Sequence, residues 1–199
     1  MQILIAGSTG KTGQILVSEL QKRGHQPVAM VRESSDTSGL PEQVEQRQGD
    51  LTALTDDVVD SCEVVIFAAG AGGGSSPEMT DKIDREGAKS LIDLSVERGV
   101  RRFVMLSSIG AGDPDPESEL AHYLKAKHAA DEYLKAAPLE YAILRPVALT
   151  DDDGTGYVQL GDQVDPSGKA SRQDVAKLLA DAAEAPEWVG KVLTMESVL

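Results

Sequence analysis

The chain has 199 residues, 41% of them hydrophobic, and a formal net charge of −14, which allows one substantial core and is short for two, so a single domain over 1–199 is expected. The acidity argues against nucleic acid and anionic lipid as partners, because both reward a basic patch. No basic leader precedes the first apolar run and no apolar stretch approaches the ~18 residues of a membrane span, so a cytoplasmic protein with no membrane partner is expected.

In chain order, short β-branched apolar runs alternate with stretches of helical periodicity. Strands are predicted near 2–6, 27–32, 44–48, 63–69, 102–107, 140–145 and 191–196. Those around Val64–Val65–Ile66–Phe67 and Phe103–Val104–Met105–Leu106 are apolar throughout, as strands buried on both faces should be. Ile15, Leu16 and Leu20 give a first helix its inner face, with Gly24 as its stop. Ile83, Ala88, Leu91, Ile92 and Val96 do the same for a longer helix ending at Gly99. A third helix is predicted over 119–137, stopped by Pro138, and a fourth opens at Ser171, where Asp174 three residues on suggests a capping box, and runs to about Ala185. The alternation predicts an α/β protein of Rossmann type: a doubly wound, mostly parallel sheet with helices on both faces.

Cys62, the one cysteine, excludes an intramolecular disulfide, and three scattered histidines give no zinc pattern, so no metal is expected. Acidic Asp60 and Glu63 flank Cys62 and favour a structural thiol over a reactive one. Three polar connections, 70–77, 109–118 and 150–167, each follow a predicted strand and so belong at the carboxyl edge of the sheet, where ligands bind. With their flanks (70–78, 109–122 and 147–170) they form the expected substrate side.

The first strand runs into Gly7-Ser8-Thr9-Gly10-Lys11-Thr12-Gly13 and then directly into a helix. In such a loop the first glycine permits the tight turn, the second lets backbone approach a pyrophosphate, and the third lets helix and strand pack closely. The helix amino terminus adds N–H donors and a positive dipole end, and Lys11 adds charge. The G-x-x-G-x-x-G spacing departs from G-x-G-x-x-G, but the strand–loop–helix context supports dinucleotide binding. Gly10-Lys11-Thr12 imitates the end of a Walker loop, yet Gly7 stands two residues too close for one.

The end of the second strand reads Val31-Arg32-Glu33-Ser34-Ser35. An arginine in this region accommodates a ribose 2′-phosphate, whereas an acid bonds the 2′-hydroxyl. Arg32, with Ser34 as a further phosphate donor, favours NADP, and Glu33 leaves NAD open. Asp50, with Leu51 beside it, follows the third strand and is placed to meet the adenine amino group.

Tyr123 and Lys127 are four residues apart on the third predicted helix, hence on one face. An ammonium near a phenol favours phenolate, which suits the tyrosine to acid–base work on a carbonyl or alcohol. Ser107 or Ser108, at the end of the fifth strand, could bond the same oxygen.

The full chain resembles the atypical short-chain dehydrogenase/reductase superfamily, in particular small bacterial NAD(P)-binding proteins labelled as epimerases or as flavin- or biliverdin-reductase-like. The resemblance rests on Gly7–Gly13, Val64-Val-Ile-Phe-Ala-Ala-Gly70, Phe103-Val-Met-Leu-Ser-Ser-Ile-Gly110, Tyr123-Leu-Lys-Ala-Lys127, Tyr141-Ala-Ile-Leu-Arg-Pro146 and Asp174-Val175-Ala176. It implies that Ala68, Ala69 and Gly70 line the cofactor, that Pro146 and Val147 border its nicotinamide, and that Ser107, Tyr123 and Lys127 match the family's catalytic serine, tyrosine and lysine and also face the cofactor. The expected activity is NADPH-dependent reduction of a small carbonyl, flavin or quinone by a monomer or homodimer. An NADP(H)-sensing binding protein with little turnover is the alternative. Sugar-nucleotide epimerisation comes third, since the chain lacks the larger carboxyl-terminal domain that shapes a sugar site.

Overall fold

The structure, a computed structural model, describes residues 1–72 and 74–198. Five parallel strands carry the centre of the sheet: β1 (Gln2–Ala6), β2 (Gln26–Val31), β4 (Val64–Phe67), β5 (Arg102–Leu106) and β6 (Glu140–Pro146). The short β3 (Glu45–Gln48) flanks β2, and β10 (Lys191–Ser197) runs parallel beside β6. The remaining strands, β7 (Ala148–Thr150), β8 (Val158–Leu160) and β9 (Lys169–Ser171), fall in and beside the region expected to be loop. β8 adds antiparallel to β10, giving the order β3-β2-β1-β4-β5-β6-β10-β8, and β7 and β9 form a separate parallel ribbon. The segment 150–167 is therefore partly tied into the sheet: Val158, Leu160 and Leu193 pack against its apolar layer.

Alternation along the strands divides the core. Ile3, Ile5, Val64 and Ile66 face one layer with Leu16, Val17 and Leu20 of α1 (Lys11–Lys22) and Val175, Leu179 and Ala183 of α5 (Arg172–Glu184). Leu4, Ala6, Val65 and Phe67 face the other, with Leu91 and Ile92 of α3 (Ala88–Glu97) and Ala130 and Leu134 of α4 (Ala121–Ala136). Both faces are covered, the condition under which parallel strands are stable. The long helix expected to end at Gly99 is one helical run in three parts: α2 (Pro77–Thr80), a π-helical stretch (Asp81–Gly87) and α3. Ser171 caps α5 through Gln173 N–H, but Asp174 does not close a capping box; its carboxylate accepts from Gly156 N–H and the Ser197 hydroxyl.

The chain reverses its direction of winding between β1 and β4. Strands leave β1 toward β2 on one side and β4 toward β5 on the other, so the carboxyl ends of β1 and β4 open a crevice at the sheet edge. Among the described residues no helix is long and apolar enough to cross a membrane, and no cluster of ligating side chains could hold a metal ion.

Candidate functional site

The glycine loop closes tightly over that crevice. Gly7 has φ +86°, and a Cβ there would meet Ala69 N at 2.6 Å; a Cβ on Gly13 would meet Gly7 O at 2.1 Å. These contacts draw α1 onto the end of β1 and press the loop against the segment after β4. Gly10 N–H donates to Gly7 O at 3.1 Å. Ser8 is buried and its hydroxyl donates to Met30 O at 2.7 Å, so it anchors the loop to β2 from beneath. Thr9 O accepts from Gln14 Nε2 at 2.9 Å.

Two clefts meet at Gly10 and residues 68–71. The smaller, about 520 Å³, is lined by Gly7, Thr9, Met30, Arg32, Ser35, Asp50 and Leu51. Ser35 rather than Ser34 lines it, and its hydroxyl accepts from Arg32 N–H at 3.0 Å. Asp50 accepts from the Thr52 N–H and hydroxyl at 2.8 and 2.7 Å, and those bonds, with the Arg32 charge, hold its carboxyl below the usual range. The larger cleft, about 580 Å³, is lined by Lys11, Thr12, Ser107, Tyr123, Lys127, Leu149 and Arg172, among others. Both are lined by Ala68, Ala69 and Gly70. A crevice that runs from an arginine past a glycine loop at a helix amino terminus to a tyrosine fits an extended dinucleotide. Pro146 and Val147 are buried and line neither part.

Ser107, Tyr123 and Lys127 meet in the larger cleft, Ser108 outside its lining. Lys127 lies beneath the tyrosine, 5.7 Å from the ring centroid, and is almost completely buried. Its ammonium is 2.9 Å from an oxygen of Asp84 and 3.4 Å from the carbonyls of Ala69 and Leu106. Burial pushes the ammonium toward neutrality, but Asp84, Tyr123 and Asp131 outweigh it and leave its pKa above that of an ordinary lysine. Lys127 is thus a paired cation, whereas the spacing alone suggested one that acts on Tyr123 undiluted.

Ser107 is held from the opposite side. Its hydroxyl donates to Asp131 Oδ2 at 2.8 Å, the same oxygen accepts from Arg145 Nε at 3.0 Å, and Arg145 Nη2 forms an ion pair with it at 2.9 Å. Burial pushes the Asp131 carboxyl up, against the pull of Arg145 and Ser107. With its proton directed to Asp131, Ser107 presents acceptor lone pairs to the cleft.

Asp84, Asp131, Arg145, Asp151 and Arg172 were not singled out from the sequence. Asp131 had a usable signal, since it follows Lys127 by four residues on α4. So did Asp84, which precedes Ala88 by four residues and Leu91 by seven and so shares their inner face; it is buried in the π-helical stretch, where Oδ2 accepts Ala71 N–H at 2.9 Å. Cys62 is buried in the turn before β4 with Arg47 Nη1 3.7 Å from its sulfur. Burial nevertheless raises the thiol pKa, in keeping with a structural role.

A family model described as NAD(P)H-binding matches residues 7–186. The chain is 34% identical over 183 residues to the uncharacterized sugar epimerase YhfK of Bacillus subtilis, covering 89% of this chain and 85% of that one. A structure from Bacillus halodurans, described as that of an NAD-dependent epimerase/dehydratase, superposes with a TM-score of 0.93 at 34% identity, over 100% of this chain and 94% of that one. The oxidoreductase ylbE of Lactococcus lactis superposes with a TM-score of 0.87 at 29% identity, over 100% and 91%.

Proposed function

Because the chain belongs to the NAD(P)H-binding family, we propose that it is an NADPH-dependent oxidoreductase reducing a small carbonyl, flavin or quinone. The observation that carries this reading is the continuity of the two clefts across Gly10 and residues 68–71, with Arg32 at one end and Tyr123 at the other. When bound, the reduced nicotinamide supplies the hydride. Tyr123 delivers a proton to the acceptor atom of the substrate. Lys127 fixes a positive charge under the phenol, held there by Asp84 and the carbonyls of Ala69 and Leu106. Ser107, fixed by Asp131, orients a substrate N–H or O–H through its lone pairs. Exposed Arg32, with Ser35 and the glycine loop, favours the 2′-phosphate of NADP over NAD. On this reading residues 1–199 form one cytoplasmic domain, monomeric or homodimeric, whose partner besides the cofactor is a small molecule.

A second reading, an NADP(H)-responsive binding protein with little turnover, draws support from the Lys127–Asp84 pair. A charge-compensated ammonium exerts a weaker pull on the phenol than a bare one.

The test combines fluorescence titration with NADPH and NADH and turnover assays on carbonyls, flavins and quinones. Arg32→Ala is expected to weaken NADPH about tenfold or more with little effect on NADH, the loss of a charge-assisted contact. Tyr123→Phe is expected to keep NADPH affinity and lower carbonyl turnover about 10²–10⁴-fold. Tight NADPH binding with no turnover by the unaltered protein favours the sensor; no binding of either nucleotide removes both readings.

A further inference from the structure

At the mouth of the larger cleft two cations from distant parts of the chain converge on one carboxylate. Lys11 is the first residue of α1 and Arg172 the first of α5, and both line the cleft beside Leu149. Asp151, in the loop after β7, gives Oδ2 to the Lys11 ammonium and Oδ1 to Arg172 Nη1, the latter at 2.6 Å. The loop is also fixed at the start of α5, where Ser171 Oγ donates to Asp152 O at 2.7 Å and Gln173 Nε2 to Asp153 Oδ1 at 3.2 Å.

We propose that Lys11 and Arg172 form an anion cradle for the ligand, which Asp151 fills in the free protein and yields when the ligand binds. The proposal rests on the NADPH-binding reading for the identity of the ligand, and not for the existence of the cradle. In a body of net charge −14, a phosphate or carboxylate needs local positive potential to enter. Lys11 and Arg172 are cations at the mouth of the larger cleft, apart from the Asp84-paired Lys127, and each meets one oxygen of a single carboxylate, the geometry in which a bidentate oxyanion would lie between them. Asp151 is more than half exposed, 57%, so it can swing into water. The Lys11–Asp151 pair is exposed on both sides and held by little, Arg172 is the more covered partner, and a multiply charged ligand backed by the helix N–H groups can displace Asp151 from both. The anion has two sources, the nicotinamide-side phosphate of the cofactor or a carboxylate or phosphate on the substrate, and Asp151 competes with either.

The test is calorimetric titration of the unaltered protein, Asp151→Asn, Arg172→Gln and the double variant with NADPH, reduced nicotinamide mononucleotide, reduced nicotinamide riboside and inorganic pyrophosphate. Inorganic phosphate is then titrated into the NADPH-saturated proteins. Asp151→Asn is expected to tighten NADPH and the mononucleotide about fivefold, the upper end of what an exposed ion pair is worth. It should leave the riboside unchanged, and the gain should vanish in the double variant. A gain confined to phosphate binding by the NADPH-saturated protein assigns the cradle to the substrate's anion instead. No gain for any anion overturns the proposal while NADPH binding by the unaltered protein keeps the functional reading intact. If the unaltered protein binds no NADPH, the functional reading falls, and the pyrophosphate titrations still decide the cradle.

Discussion

The ammonium of Lys127 and the carboxylate of Asp84 occupy a place with almost no access to water, so each charge depends chiefly on the other. Lys127→Met should therefore leave Asp84 buried and uncompensated and destabilise the fold by about 3–5 kcal/mol, which in a chain of this size lowers the melting temperature by about 10 °C. Lys127→Met with Asp84→Asn should recover part of that loss. Thermal unfolding of the three proteins checks this, and a single variant that melts with the unaltered chain would show that the charges do not depend on one another. The same residues show how far side-chain spacing carries a sequence reading. Tyr123, Lys127 and the serine after β5 could be found because a helix face and a strand end are periodic objects. The pairing of Lys127 with Asp84 could not, because nothing in the pattern Asp81-Lys-Ile-Asp-Arg-Glu-Gly87 announces which side chain of another helix meets it. Nor could the Asp151 bridge, which joins residues 140 positions apart.

At the level of elements, α1 and α5 lie side by side on one face of the sheet and are clamped at the end of α1. Arg23 donates to Glu19 at 2.9 Å, Asp181 at 2.6 Å and Glu184 at 2.7 Å, and His25 reaches Glu184 at 2.8 Å. Burial pushes the Glu184 carboxyl up, but His25 and Arg23 outweigh it and leave the folded-state pKa below the ordinary glutamate value of 4.5. A depressed carboxylate contributes stability that is complete above its unfolded pKa and is lost as pH falls through the folded one. Melting temperature should accordingly fall as pH drops below about 4.5, and Glu184→Gln should flatten that part of the profile; a profile identical in the two proteins would remove Glu184 from the acid response. The seven expected strands all form; six of them carry buried residues covered by helices that the same pattern announces, and the polar, exposed β3 is held by its ladder to β2. The three short strands β7, β8 and β9 were not legible. Sequences such as Val158-Gln-Leu160 and Lys169-Ala-Ser171 are too short and polar to stand out, and they are strands because β10 or each other supplies a ladder.

For the molecule as a whole, the charge of −14 and the individual cations at the cleft would act on different stages of nucleotide binding. On the proposed function, long-range repulsion would govern the encounter with a polyanionic nucleotide, and local contacts at Lys11, Arg32 and Arg172 would govern how long it stays. Added salt should therefore raise the association rate constant of NADPH and also raise its dissociation rate constant, as stopped-flow fluorescence at several ionic strengths would show. An association rate that falls with salt would mean that the cleft cations dominate even at a distance. The sheet itself has a consequence for the company this protein keeps in a crowded solution. Unpaired backbone at a sheet margin invites another chain to add itself there. One margin is β3, four residues that read Glu-Gln-Arg-Gln, and the other is β8, three residues set against the direction of β10. A stranger's strand finds at either margin only a few rungs, ringed with charge or cut short, so the ladder that builds the fold stops before it can become a fibre.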